Sequence, residues 1–133
     1  MSDVTANLNN ATTEYDTTMD SVIIKKVVHD IPGGKTLDVT GVTEGVLKAG
    51  RVIIEETATK KLKPLGITDG AYDALPSLHT YKGVLIATIL TKKPFASVML
   101  SGDVNEQAVI NYDLPAIPAG AKTALTHILF TQD

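Results

Sequence analysis

The chain has 133 residues, a formal charge of −3, 44% hydrophobic residues and 20% charged ones, the size and balance of one domain that buries roughly two-thirds of its unfolded surface. It has no cysteine, which excludes disulfides, thiolate nucleophiles and zinc–thiolate sites and leaves packing or assembly as the source of stability. With no Trp, two Phe, four Tyr and one small basic cluster at Lys60, Lys61 and Lys63, neither stacking platforms nor a phosphate-tracking surface is expected, so nucleic acid is not an expected direct partner.

Residues 1–20 carry Asp3, Glu14, Asp16 and Asp20 and no Lys or Arg. Their Ser, Thr, Asn and Asp content leaves too few apolar groups to offset the cost of ordering a backbone, which predicts a flexible N-terminal arm (1–20) ahead of a β-rich domain (21–133). The opening MSDVTANLNN lacks the basic and apolar regions of an export signal, and the longest apolar run, Gly83 to Ile89, is too short to span a bilayer, so neither classical export nor a membrane partner is expected.

After the arm, SVIIKKVVHD reads as an apolar strand, IPGG as a turn, KTLDV as a short alternating strand, GVTEGVLKAG as a loop and RVIIEET as another strand. The stretch ATKKLKPLGITDGAYDALPSLHTYK has no sustained period and holds two prolines and two glycines, which predicts a long irregular excursion from about Thr59 to Lys82 with at most one helical turn. Two β-rich runs follow, separated by Lys92, Lys93 and Pro94, which suit a reversal. Ser101, Gly102 and Asp103 are expected to end the second run and cap a helix over VNEQAVINY, in which Val104, Ala108 and Tyr112 share a face. AGAKTA is a second short helix leading into the closing strand LTHILF. Candidate core residues are Ile23, Val27, Val52, Ile54, Val84, Ile86, Val98, Leu100, Ile128 and Phe130.

No motif of catalysis emerges. Gly33, Gly34, Lys35 and Thr36 imitate the end of a phosphate-binding loop, but His29 stands where the first glycine belongs and LDVTG continues as strand where a helix is required. His29, His79 and His127 lie on separate segments without metal-ligand spacing, so no metal is assigned. Glu55 and Glu56 are neighbours on a strand and point to opposite faces; Asp69 and Asp73 read as solvated loop acids. Ser97 and Ser101 lack a nucleophile elbow. The expectation is a non-enzyme with no cofactor.

Taken in order, IPGGKTLDV, VLKAGRVI, LKPLGI, KGVLIATI, ASVMLSGDVNEQAV and LTHILF resemble the head decoration proteins of tailed bacteriophages, the lambda type and its relatives, and are similar as well to phage head-fibre attachment proteins. The resemblance runs from about Ser21 to Phe130 and rests on Ala49 and Gly50, Gly83 to Leu85, Gly102 to Ala108, and Leu125 to Phe130. It implies a mainly β fold, a small β-barrel or β-tulip-like domain with one or two short helices. It further implies a homotrimer at three-fold positions on the outer surface of the expanded capsid, made in the host cytoplasm, whose partner is the major capsid protein and whose role is to stabilise the shell against internal DNA pressure. On that reading Val4, Leu8 and Tyr15 are the arm's candidate capsid contacts, and Tyr72, Leu75 and Leu78 candidate trimer or outer-tip contacts. Two alternatives stay open: a head-fibre base or adhesion module binding a host-surface receptor or sugar, and a small β-barrel ligand-binding protein or enzyme with a polar-lined pocket.

Overall fold

The computed structural model describes residues 17, 18, 20–111 and 114–132. Its centre is a six-stranded sheet built from β1 (Ile24–Asp30), β11 (Val98–Asn105), β8 (His79–Leu85), β4 (Val52–Glu56) and β5 (Leu62–Pro64) in that spatial order, with β12 (Ile128–Thr131) beside β11. All neighbours are antiparallel except β12, which runs parallel to β11. Three two-stranded ribbons accompany it: β2 (Lys35–Thr36) with β10 (Phe95–Ala96), β3 (Val46–Leu47) with β9 (Ile89–Leu90), and β6 (Ile67–Thr68) with β7 (Ala71–Tyr72). Short helices α1 (Asp20–Ile23), α2 (Glu106–Asn111) and α3 (Ala119–Ala124) complete the described elements.

β4, β8 and β11 form on predicted apolar runs, and alternation then sends side chains to both faces of the sheet. The strand expected over SVIIKKVVHD is corrected: residues 21–23 belong to α1, which buries Ile23 in the helix-side core, and β1 begins only at Ile24, while the expected loop GVTEGVLKAG contains β3. Val52, Ile54, Val84, Met99 and Val104 join α1, α2 and α3 through Ile23, Ala108, Val109 and Ala121 in one buried layer. Ile53, Leu62, Leu85 and Val98 face the other way and pack on Leu37, Leu47 and Ala96 of the ribbon side. The mainly β class is as expected, with three short helices where one or two were expected, but the predicted barrel is corrected. A sheet with an apolar layer on each face has no single interior to curl around, and its end strands β1 and β5 do not pair with each other.

Several local expectations change for related reasons. Ser101–Asp103 does not break the second β-run: β11 continues through it to Asn105, and the helix starts only at Glu106. Asn105 is the cap, its Oδ1 accepting from the Ala108 amide at 3.3 Å, in place of Ser101 or Asp103. The reversal at Lys92–Pro94 closes a wider connection, since β8 and β11 pair through Leu85–Val98 and Val84–Met99 while β9 and β10 loop out to the ribbons. The Thr59–Lys82 excursion holds no helix, and it supplies β5 to the main sheet and the β6–β7 hairpin. Val27 leaves the core list: it is 39% exposed on β1, whose residues 25–30 are all exposed. Ile86, Leu100 and Phe130 are only partly buried; the other six core candidates are buried.

Gly102 explains why a glycine sits inside a strand. It has φ of +155°, and a Cβ there would lie 2.2 Å from the Lys26 carbonyl oxygen and 2.9 Å from the Met99 sulfur, so β1 and β11 approach as closely as they do only because the side chain is absent. Gly102→Ala is expected to destabilise the domain by about 2–3 kcal/mol through forced separation of these strands, read from the midpoint of urea unfolding.

Candidate interaction surfaces and polar clusters

The first polar cluster is built around Arg51, which follows the Ala49–Gly50 turn and is only 2% exposed. Its Nε and Nη2 donate to the Leu65 carbonyl at 2.9 and 2.7 Å, Nη1 lies 3.0 Å from Glu44 Oε2, and the guanidinium carbon stands 6.0 Å from the centre of the Tyr72 ring. The Tyr72 hydroxyl accepts from the Val52 amide at 3.2 Å. Burial pushes the Tyr72 phenol up to about 12, outweighing the opposing effects of that hydrogen bond and the guanidinium. Beside the cluster is a cleft of about 230 Å³ lined by Glu44, Val46, Lys48, Arg51, Ile67 and Leu114. The cluster acts as a clasp: one buried cation ties the start of β4 to the β5–β6 connection and to the loop carrying Glu44. The sequence signal for it was weak, because an arginine after a turn reads as surface.

A second cluster ties α2 to the C-terminal segment. Glu106 is 2% exposed; its Oε1 accepts from Lys122 at 2.6 Å and Gln132 at 3.4 Å, and its Oε2 accepts from the Ile117 amide at 3.0 Å. Burial alone raises this carboxyl, but the three donors and the Lys122 charge prevail and hold it below the usual carboxylate value. Asp20, placed in the arm by sequence, is anchored to the body: its carboxylate accepts from the Thr88 amide at 2.8 Å and the Thr88 hydroxyl at 2.6 Å.

The remaining sequence candidates separate. Val4, Leu8 and Tyr15, like Tyr112, lie outside the described residues. Tyr72 and Leu75 pack against the helix-side core, whereas Leu78 is 79% exposed with φ of +61° at the turn before β8. Tyr72 is therefore a core and clasp residue, and of the three Leu78 alone is fully presented to solvent. Gly33 and Gly34 form a plain turn, Gly34 N–H donating to the Ile31 carbonyl, and Lys35 reaches the Lys60 carbonyl. Glu55 and Glu56 each face a lysine, Lys82 at 3.7 Å and Lys63 at 3.2 Å. His79 sits beside the latter pair. The Ser77 carbonyl only accepts, so Nδ1 donates to it at 2.8 Å, leaving Nε2 to accept from Lys63 at 3.3 Å. Among the described residues no group of three or more His, Asp or Glu side chains is arranged to hold a metal, and no helix is long and apolar enough to cross a membrane.

Besides Leu78 and Phe95, which is 60% exposed on β10, the exposed large apolar side chains lie on β1, β12, α1 and α2. Val22, Val27 and Val28 are 44%, 39% and 52% exposed, with Leu129 and Ile110 also open on β12 and α2. Among the described residues the outer edge of β1 is unpaired. Lys25 and Lys26 and the register shifts between Ile24 and Lys26, Val27 and His29, and His29 and Asp30 blunt it against strand addition, so side-chain faces rather than the backbone edge are available for contacts. Comparison with family models, curated proteins and solved structures finds no match to this chain.

Proposed function

We propose that this chain is a tailed-phage capsid decoration protein, which associates as a homotrimer on the outside of the expanded head, contacts the major capsid protein and stabilises the shell mechanically. The observation that carries the reading is β1 with its surroundings: a strand exposed from Lys25 to Asp30, with Val22, Val27, Val28 and Leu129 open to solvent. Such surface is useful to a protein whose work is to be buried between neighbours, and each contact made only in the assembled shell shifts its stability by mass action. The order of segments from about Ser21 to Phe130 that resembles the decoration family supports the same reading, and the polar clusters, each satisfied internally, fit a scaffold. The exposed Leu78 at a strained turn favours a second reading, a head-fibre base or adhesion module that uses this tip as an outer contact.

Light scattering on the purified chain is expected to give three copies per particle, and co-sedimentation is expected to place it on expanded shells and not on immature ones. Val28→Asp is expected to weaken assembly or shell binding at least about tenfold, because a charge must then be desolvated at the contact, while leaving the fold intact. A monomer that ignores shells at micromolar concentration overturns the proposal. Binding to host surface sugars, with loss on Leu78→Asp, replaces it with the second reading.

A further inference from the structure

We infer that His29 and His127 together form a binding site for a divalent late-transition-metal cation of the zinc, nickel or copper class. The two histidines were separate in sequence, but the fold places them on either side of one residue. His29 is the register partner of Ser101 across β1–β11. On the other side of β11, the His127 carbonyl accepts from the Gly102 amide and from the Ser101 hydroxyl, both at 3.2 Å. Both histidines are thus held to Ser101, one from each side of β11, and both residues line one groove of about 470 Å³ with Val28, Leu100 and Ser101.

The chemistry of the groove selects the cation. Two imidazole nitrogens suit zinc, nickel and copper, whereas magnesium and calcium require a set of oxygen donors that the groove does not supply. Ser101, between the two histidines, carries only a small side chain, and Val28 and Leu100 supply the groove's apolar lining. Two protein ligands leave the remaining coordination positions to water or to a donor from another molecule, an open site rather than a closed structural one. The backbone clamps hold the two residues in place, so the ordering left when the ion binds is that of the two rings' rotamers.

Isothermal titration of the full chain with zinc or nickel chloride is expected to show one ion per chain, with magnesium chloride giving no heat of binding. His29→Ala and His127→Ala are each expected to weaken binding by about tenfold or more, since losing even an outer-shell partner of a metal site costs that much, and the double variant to abolish it. His79→Ala, which removes a ring held by Ser77 and Lys63 elsewhere on the surface, is expected to leave binding unchanged. His29→Gln and His127→Gln, which keep a polar exposed side chain, repeat the test if an alanine variant proves unstable. Zinc and nickel binding that survives the double variant, or no binding to the native chain at millimolar ion, overturns the inference.

Discussion

Replacing Arg51 by methionine is expected to destabilise the domain by about 3 kcal/mol, although methionine fills a similar volume and carries no buried charge. Exchanging a buried ion pair for apolar side chains is often neutral or favourable, but only when every partner is replaced together. Here the principal partner is a main-chain carbonyl, that of the fully buried Leu65, which accepts two of the guanidinium hydrogen bonds. No side-chain substitution removes it, so methionine leaves it orphaned at a cost of about 1–3 kcal/mol, to which the lost charge-assisted bonds and the contact with Tyr72 add. Glu44 contributes little, since its side chain is 38% exposed, and Glu44→Gln is expected to change stability by less than about 1 kcal/mol. Arg51→Lys is expected to fall between, because an ammonium cannot present two parallel donors to one carbonyl while also reaching Glu44. Urea unfolding measures the ordering of the three variants, and hydrogen exchange is expected to rise at residues 65–73, which the clasp holds to β4. A methionine variant as stable as the native chain would show that Leu65 finds another donor and that the clasp is dispensable.

What the sequence revealed and concealed follows the range of the interactions involved. The strands β4 and β8, the IPGG turn and α3 were legible because apolar runs, glycines and a proline before a helix act within a few residues. The path of β11 was concealed by the same local logic: SGD reads as a breaker, but Gly102 is there to let the Lys26 carbonyl approach, a contact made across strands. Val27 looked like core because VIIKKVV is dense in β-branched residues, yet burial depends on what covers a strand, and nothing in the described residues covers the outer side of β1. Barrel closure failed as an expectation because strand lengths do not state whether one or both faces of a sheet will be covered. The polar clusters were the least legible. Arg51 depends on a carbonyl fourteen residues away, Glu106 on Lys122 and Ile117, and the His29–His127 groove on β1 and the turn before β12, which are far apart in sequence.

Glu106→Gln is expected to cost about 2–3 kcal/mol at neutral pH, the range for hydrogen bonds to a buried charged group, and to flatten the acid side of the stability profile. The Gln carbonyl oxygen can still accept from the Ile117 amide, but its NH2 then faces the Lys122 ammonium and the Gln132 amide, and donors meet donors where a carboxylate accepted from both. The sign of the pH effect follows from the direction of the shift. The folded carboxyl is held below its ordinary value of 4.5, so the native state binds this proton less readily than the unfolded chain. The stabilisation is therefore complete above about pH 4.5 and is lost as pH falls through the folded value. Asp38, lowered mainly by its bond from the Thr40 hydroxyl, and Glu56, lowered mainly by Lys63, act in the same direction. Both are partly exposed and make only a shallow background. The native chain is thus expected to lose stability steeply between pH 5 and pH 3, roughly, and the Gln variant to lose clearly less. Lys122→Met separates pairing from burial: it leaves the carboxylate buried with the Ile117 amide and Gln132 alone, so its folded value must rise and acid sensitivity diminish even though Glu106 remains. Urea midpoints for the three proteins at pH 7 and pH 4 check this. Equal losses on acidification in all three would mean that the acid response originates elsewhere, and that the Glu106–Lys122 contact at 2.6 Å does not couple α2 to α3.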